Sequence, residues 1–205
     1  MKHLTITISL FFLIACGQRE SKKETSELTT LQNDSLGYVP VDEDSINKKE
    51  NTEYLDWSLL NINGKLPLVC KQIDLYELLG QPDSIVNPDF NNICVSYYEK
   101  DFKYAYYGEG NFEIHGDSAA ISIIDFNKIE LVYNDQELVL NNSVTIESLN
   151  RLFPIAITDK EEVNLPEIGK AICIRIPTSK KVTNDAWLLF FVNGKLIRLD
   201  YWMPC

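Results

Sequence analysis

A pattern of elements that occurs twice constrains this chain more than any other feature. Trp57 to Ile62, the dipeptide Asn63-Gly64 and Lys65 to Val69 predict a hairpin, because Asn and Gly tolerate the positive φ of a two-residue turn. A short helix should follow, with Asp74 as its cap, Glu77 at the reciprocal capping-box position, and Leu75, Leu78 and Leu79 on one face. Gly80 and then Pro82 end it. After a loop from Gln81 to Asn92 come four strand signals: Ile93 to Tyr98, Lys103 to Tyr107, Phe112 to His115 and Ala119 to Phe126, punctuated by Gly108, Gly110 and Gly116. Then the pattern restarts. Ile129 to Tyr133, the turn Asn134-Asp135 and Leu138 to Leu140 echo the hairpin; Thr145 caps a helix carrying Ile146, Leu149 and Leu152, and Pro154 ends it. Ala171 to Ile176, Trp187 to Val192 and Lys195 to Trp202, with the turn Asn193-Gly194, complete the second copy, in which Cys173 falls where Cys94 fell.

Two such copies, about 57–126 and 128–205, predict one α+β domain over 54–205: a single antiparallel sheet with both helices on one face. Trp187 to Val192 is apolar at every position, as suits a central strand covered on both faces, and it is expected where the halves meet.

The N-terminus sets the location. Lys2 and His3 precede an apolar run from Leu4 to Ala15, too short for the roughly 20 residues a spanning helix needs. The run ends Leu13-Ile14-Ala15-Cys16, followed by Gly17. This resembles the bacterial lipoprotein signal, which implies removal of 1–15 and a diacylated Cys16 holding the chain in an envelope membrane. From Gly17 to about Glu53 the chain is polar and charged, the composition of a disordered tether over 16–53. Asp34-Ser35-Leu36 and Asp44-Ser45-Ile46 match a bacterial O-glycosylation pattern short enough for chance to explain.

Composition excludes several classes. Lys and Arg number 19 against 30 Asp and Glu, a net charge of −11, and no basic stripe suited to nucleic acid is visible. Cys70, Cys94, Cys173 and Cys205 are widely spaced without a C-x-x-C, so neither a zinc site nor a redox motif is indicated; two local disulfides or buried free thiols both fit. His115 is the one histidine beyond the signal, and no nucleophile elbow, H-E-x-x-H or Walker loop occurs. Gly108-Glu109-Gly110 lacks a third glycine, and Asp42, Glu43 and Asp44 lack the rest of an EF-hand loop. No cofactor or metal is therefore expected. Paired carboxylates could hydrolyse an envelope glycan, but nothing selects a pair among Glu99, Asp101, Glu109, Glu113, Asp117 and Asp125.

The element order from Trp57 to Cys205, with the Leu-Leu-Gly-x-Pro helix ending at Leu78 to Pro82, resembles the modules of the β-lactamase inhibitor protein class and of small outer-membrane-assembly lipoproteins. The second copy departs from this by ending its helix Leu152-Phe153-Pro154 without glycine. The resemblance implies a non-catalytic protein-binding module, including the case of an inhibitor or immunity-type protein. Strand alternation then selects a binding face. Ile93, Val95 and Tyr97 point inward, leaving Cys94, Ser96 and Tyr98 outside; Tyr107 points outward with Lys103; Ile172, Ile174 and Ile176 leave Arg175 outside; Ile197, Leu199 and Tyr201 leave Arg198, Asp200 and Trp202 outside. Tyr98, Tyr107, Arg175, Arg198 and Trp202 are the candidate partner-binding residues, although cross-strand packing alone accounts for such residue types.

Overall fold

The computed structural model describes residues 50–205, apart from 92, 94, 95, 135, 136, 167 and 205. Cys16, the signal, the tether up to 49, Ser35, Ser45, Cys94, Val95 and Cys205 lie outside the described residues.

A 3-10 turn at Trp57–Leu59 precedes β1 (Leu60–Ile62), β2 (Leu66–Pro67), β3 (Val69–Lys71), α1 (Gln72–Leu79), β4 (Ser84–Val86), β5 (Lys103–Tyr107), β6 (Gly110–His115) and β7 (Ser118–Asp125). The second half runs β8 (Leu131–Tyr133), β9 (Leu138–Leu140), α2 (Ile146–Leu149), α3 (Pro154–Thr158), β10 (Glu161–Leu165), β11 (Gly169–Pro177), β12 (Ala186–Val192) and β13 (Lys195–Trp202). The architecture is α+β, mainly β, with few and short helices. Every paired strand runs antiparallel to its neighbour.

There are two sheets where one was expected. The large one has nine strands ordered β10-β11-β12-β13-β7-β6-β5-β4, with β3 also paired to β7; the small one is ordered β2-β1-β8-β9. The hairpin strands are only two or three residues long and pair with each other through Leu60↔Tyr133 and Ile62↔Leu131, which separates them from the long strands. Consequently the halves meet at β13 and β7, through Arg198↔Asp125 and Asp200↔Ile123, and not at Trp187 to Val192, which lies one strand away from that seam. β7 serves two partners along one edge: its start pairs with β3 and its end with β13.

Alternation places one set of side chains in a single core cluster. Phe112, Ile114, Ile121, Ile124, Ile174, Ile176, Trp187, Leu189, Phe191, Leu196 and Leu199 come from the large sheet, Leu60, Ile62, Leu131 and Leu140 from the small one, and Leu75, Leu149, Ala156 and Ile157 from the helices. Trp187 is fully buried, and its indole N–H donates to the Leu55 carbonyl at 2.7 Å. Ile197 is not part of this set, because a bulge opposite Phe190 and Phe191 turns Leu196 inward instead.

Local chemistry explains most element ends. Asn63 and Gly64, like Asn193 and Gly194, have positive φ, as their turns require. Gly80 closes α1 at φ 84. The expected Asp74 cap is absent: β3 runs straight into α1 at Lys71, and the Gln72 N–H donates to the Asp117 carbonyl, so a neighbouring hairpin does the work of a cap. Thr145 does cap α2, with Ser148 completing a capping box. Pro154 ends nothing by itself; it opens α3, whose Ile155 and Ala156 N–H groups donate to the Glu53 carboxylate at 2.8 and 2.9 Å. Glu50 bonds Lys180, and the Asn51 N–H donates to the Lys180 carbonyl at 2.8 Å.

Ile93 to Tyr98 shows no strand among its described residues. The Tyr97 and Tyr98 N–H groups donate instead to the two oxygens of the Glu113 carboxylate, at 2.9 and 2.8 Å, so a side chain replaces the ladder there. Cys70 and Cys173 are free thiols, so two disulfides do not form. Burial, followed by nearby carboxylates, pushes both thiols up to about 11.

Candidate functional site

The residues opposite the core cluster form the second, outer face of the large sheet. On β10 to β13 the register aligns Glu161, Cys173, Phe190 and Arg198 in one row, and Arg175, Leu188 and Asp200 in the next. Trp202 lies opposite Ala186. On β5 and β6 the outer residues are Tyr104 and Tyr106, opposite Glu113 and Asn111.

Arg175, Arg198 and Trp202 are brought together here. The Arg175 guanidinium lies 4.3 Å from the Trp202 ring centre and donates to the Asn184 carbonyl at 3.3 Å. Arg198 lies 5.7 Å from the Phe190 ring centre and grips Asp200 with two hydrogen bonds of 2.6 and 2.7 Å. Burial raises the Asp200 carboxyl above its ordinary value against the pull of this guanidinium.

Two cavities line this face. One of about 500 Å³ is lined by Ala156, Asp159, Glu161, Val163, Leu165, Cys173, Arg175, Leu188, Phe190 and Trp202. The other, about 350 Å³, lies among Tyr104, Tyr106, Asn111, Asp200 and Trp202. Leu188 and Trp202 belong to both, so the two adjoin. A third space of about 550 Å³ lies elsewhere, between the hairpins, among Asn63, Lys65, Lys128 and Asn141. It is an open, mainly polar cleft in which the Asn63 amide oxygen accepts from the Glu130 N–H and the Asn141 amide oxygen from Ser143, with Leu78, Phe126 and Ile129 also in its wall.

Tyr98 and Tyr107 are not on the open part of this face. Tyr107 points into the core: it is 6% exposed, meets Phe112 edge to face and donates from its hydroxyl to the Gly80 carbonyl at 3.0 Å. The phenol found a carbonyl inside, so alternation with Lys103 misplaced it. Tyr98 stacks on His115 and donates to Ser118 Oγ at 2.8 Å, beside the β6–β7 hairpin. Tyr97, expected inward, is 43% exposed, with its ring 6.1 Å from that of Trp57. Leu188, Phe190, Tyr104, Tyr106 and Asn111 were missed. A strict alternation reading of Trp187 to Val192 yields the first two; treating that run as covered on both faces concealed them.

The six candidate acids do not converge. Glu113 is buried and bound by the two backbone N–H groups; burial raises its carboxyl while those bonds lower it, and the net shift is upward. Asp125 is also buried and accepts from the Asn127 N–H and amide at 2.9 Å and from the Glu109 N–H at 3.2 Å. Gly108 at φ +63 belongs to that arrangement, since a Cβ there would lie 2.4 Å from the Asp125 carboxylate. Glu99, Asp101, Glu109 and Asp117 are exposed at turns. His115 Nδ1 is 3.0 Å from the Asp101 carbonyl. Among the described residues no three His, Cys, Asp or Glu side chains gather as a metal site, and no helix is long and apolar enough to cross a membrane. No family model, curated protein or solved structure matches the chain.

Proposed function

We propose that this protein is a lipid-anchored lipoprotein of the bacterial envelope whose domain binds another protein without catalysing a reaction, through the outer face of β10 to β13. The observation that carries this reading is that face itself: Leu188, Phe190 and Trp202 lie between two arginines, above adjoining cavities of about 500 and 350 Å³. Trp and Arg are the residue types that anchor protein interfaces, and an arginine resting on a ring meets a partner already oriented. The Leu13 to Cys16 pattern supports anchoring at Cys16. An inhibitor or immunity-type protein that neutralises a secreted enzyme is the same reading with a particular partner.

The domain is a tandem duplication on this account, with its helices packed on the core side of the sheet. Support comes from the strand order, which reads the same from both ends of the large sheet: β10 matches β4, β11 matches β5, β12 matches β6 and β13 matches β7. The small sheet does likewise, β2-β1 against β9-β8. Cys173 therefore corresponds to the β5 region and not to Cys94. Leu75 of α1 and Leu149 of α2 in one cluster support the common side for these two helices.

Affinity capture from envelope extracts tests the binding reading. Wild-type protein should retain a partner that Trp202→Ala with Leu188→Ala loses and Glu77→Ala, at an exposed position of α1, keeps. Equal retention by all three would remove the outer face from consideration. Intact-mass measurement of the mature chain tests the anchor: acyl chains at Cys16 are expected, and an unmodified mature chain would overturn it.

A further inference from the structure

A side chain in the wall of the 350 Å³ cavity carries a buried, unmet hydrogen-bond acceptor. Asn111 lines it, is 5% exposed, and its Oδ1 has no hydrogen-bond partner in the protein. Leaving such a group unpaired is costly, and a buried amide of this kind needs an explanation. The position is built, not incidental. A bulge at Asn111 and Phe112 places the side chain, and the preceding Gly110 packs so tightly that a Cβ would lie 2.7 Å from the Asp125 nitrogen.

What the cavity would accept follows from its walls. The rings of Tyr104, Tyr106 and Trp202 line it, and Asp200 supplies a carboxylate. Arg198 uses two of the roughly four lone-pair sites of that carboxylate, which leaves acceptor capacity. Ring faces and an orphan acceptor favour a positively charged donor, and Asp200 adds the lone pairs that Arg198 leaves, its charge already balanced by that guanidinium. The same face already seats guanidinium groups on rings, Arg175 on Trp202 and Arg198 on Phe190.

We infer that this cavity takes up a cationic nitrogen group, the ammonium or guanidinium of a Lys or Arg side chain carried by the partner. This rests on the binding-face reading and gives that partner's chemistry: it presents a basic side chain to Asn111 and Asp200, in keeping with the chain's net charge of −11. Neutral amide or hydroxyl donors satisfy Asn111 but gain nothing from the rings.

The test uses the ¹⁵N-labelled full chain in detergent micelles, titrated separately with arginine amide, its neutral isostere citrulline amide, and propionate. Arginine amide should shift the Asn111 side-chain resonances saturably. Citrulline amide should bind more weakly and propionate not at all. Asn111→Leu should keep the fold, because an apolar isostere removes the unpaired acceptor, and should lose the response at Tyr104 and Trp202. Tyr106→Leu serves as a second variant and should weaken arginine amide by about threefold. No saturable shift, an equal response to citrulline amide, or a response to propionate would each overturn the inference. If arginine amide binds as described but partner capture ignores the outer face, the cavity assignment stands and the protein-binding reading falls.

Discussion

The two faces of β12 are nearly equally apolar but differ in what covers them. On the inner face Trp187, Leu189 and Phe191 are fully enclosed, and the Trp57 ring stacks on Trp187 at 4.9 Å with Tyr201 against its edge at 4.5 Å. On the outer face Leu188 and Trp202 are only half-buried, with Arg175 over the Trp202 ring, while Phe190 is buried beneath Arg198. On β12 composition alone does not distinguish the faces. What separates them is which one the helices, the small sheet and the Trp57 turn close over. An arginine held on a ring shields apolar surface from water yet can be displaced, whereas a packed indole with its N–H bonded cannot.

The largest expected effect breaks the inner face. Trp187→Ala should cost about 3–5 kcal/mol, since it empties a fully enclosed site and orphans the Leu55 carbonyl. Urea unfolding of the variant checks it; a loss near that of an exposed residue would mean that the core is elsewhere. Next comes Glu113→Ala, at about 1–3 kcal/mol, because two N–H groups lose their acceptor. Hydrogen exchange at Tyr97 and Tyr98 should rise in this variant, and unchanged exchange would show that the carboxylate does not hold that segment.

Glu113 also sharpens the comparison through pH. Its carboxyl lies above the ordinary value of 4.5, so the unfolded chain ionises first as pH rises. Stability from this group is full below 4.5 and is lost as pH climbs through the raised value. Wild type should therefore lose stability relative to Glu113→Gln over that interval, as followed by urea midpoints. A constant difference would mean that the two N–H bonds fully offset burial. Smallest in stability is Trp202→Ala, at about 1 kcal/mol or less, since its ring is half-buried under Arg175. A larger loss would make the outer face structural and not a binding surface.

Turn chemistry was legible in the sequence because it is local: Asn63-Gly64, Asn193-Gly194, Gly80 and the Thr145 cap all act through their own backbone. So was the outward placement of Arg175, Arg198 and Trp202, because alternation holds along a regular strand. What escaped depends on distant partners. Tyr97 and Tyr98 look like strand residues until Glu113, fifteen or more positions later, takes their N–H groups. Tyr107 looks exposed until the Gly80 carbonyl is seen to receive its hydroxyl. The bulges that turn Leu196 inward and set Asn111 have no local signature, and neither does the separation of the hairpins into a second sheet.

Site-specific photo-crosslinking in living cells measures the central claim most directly. A photoreactive phenylalanine analogue at Leu188, in the wall shared by both cavities, should trap a defined higher-mass adduct, while the same analogue at exposed Glu77 on α1 should not. No adduct at 188, or equal adducts at both positions, would contradict a partner bound on the outer face.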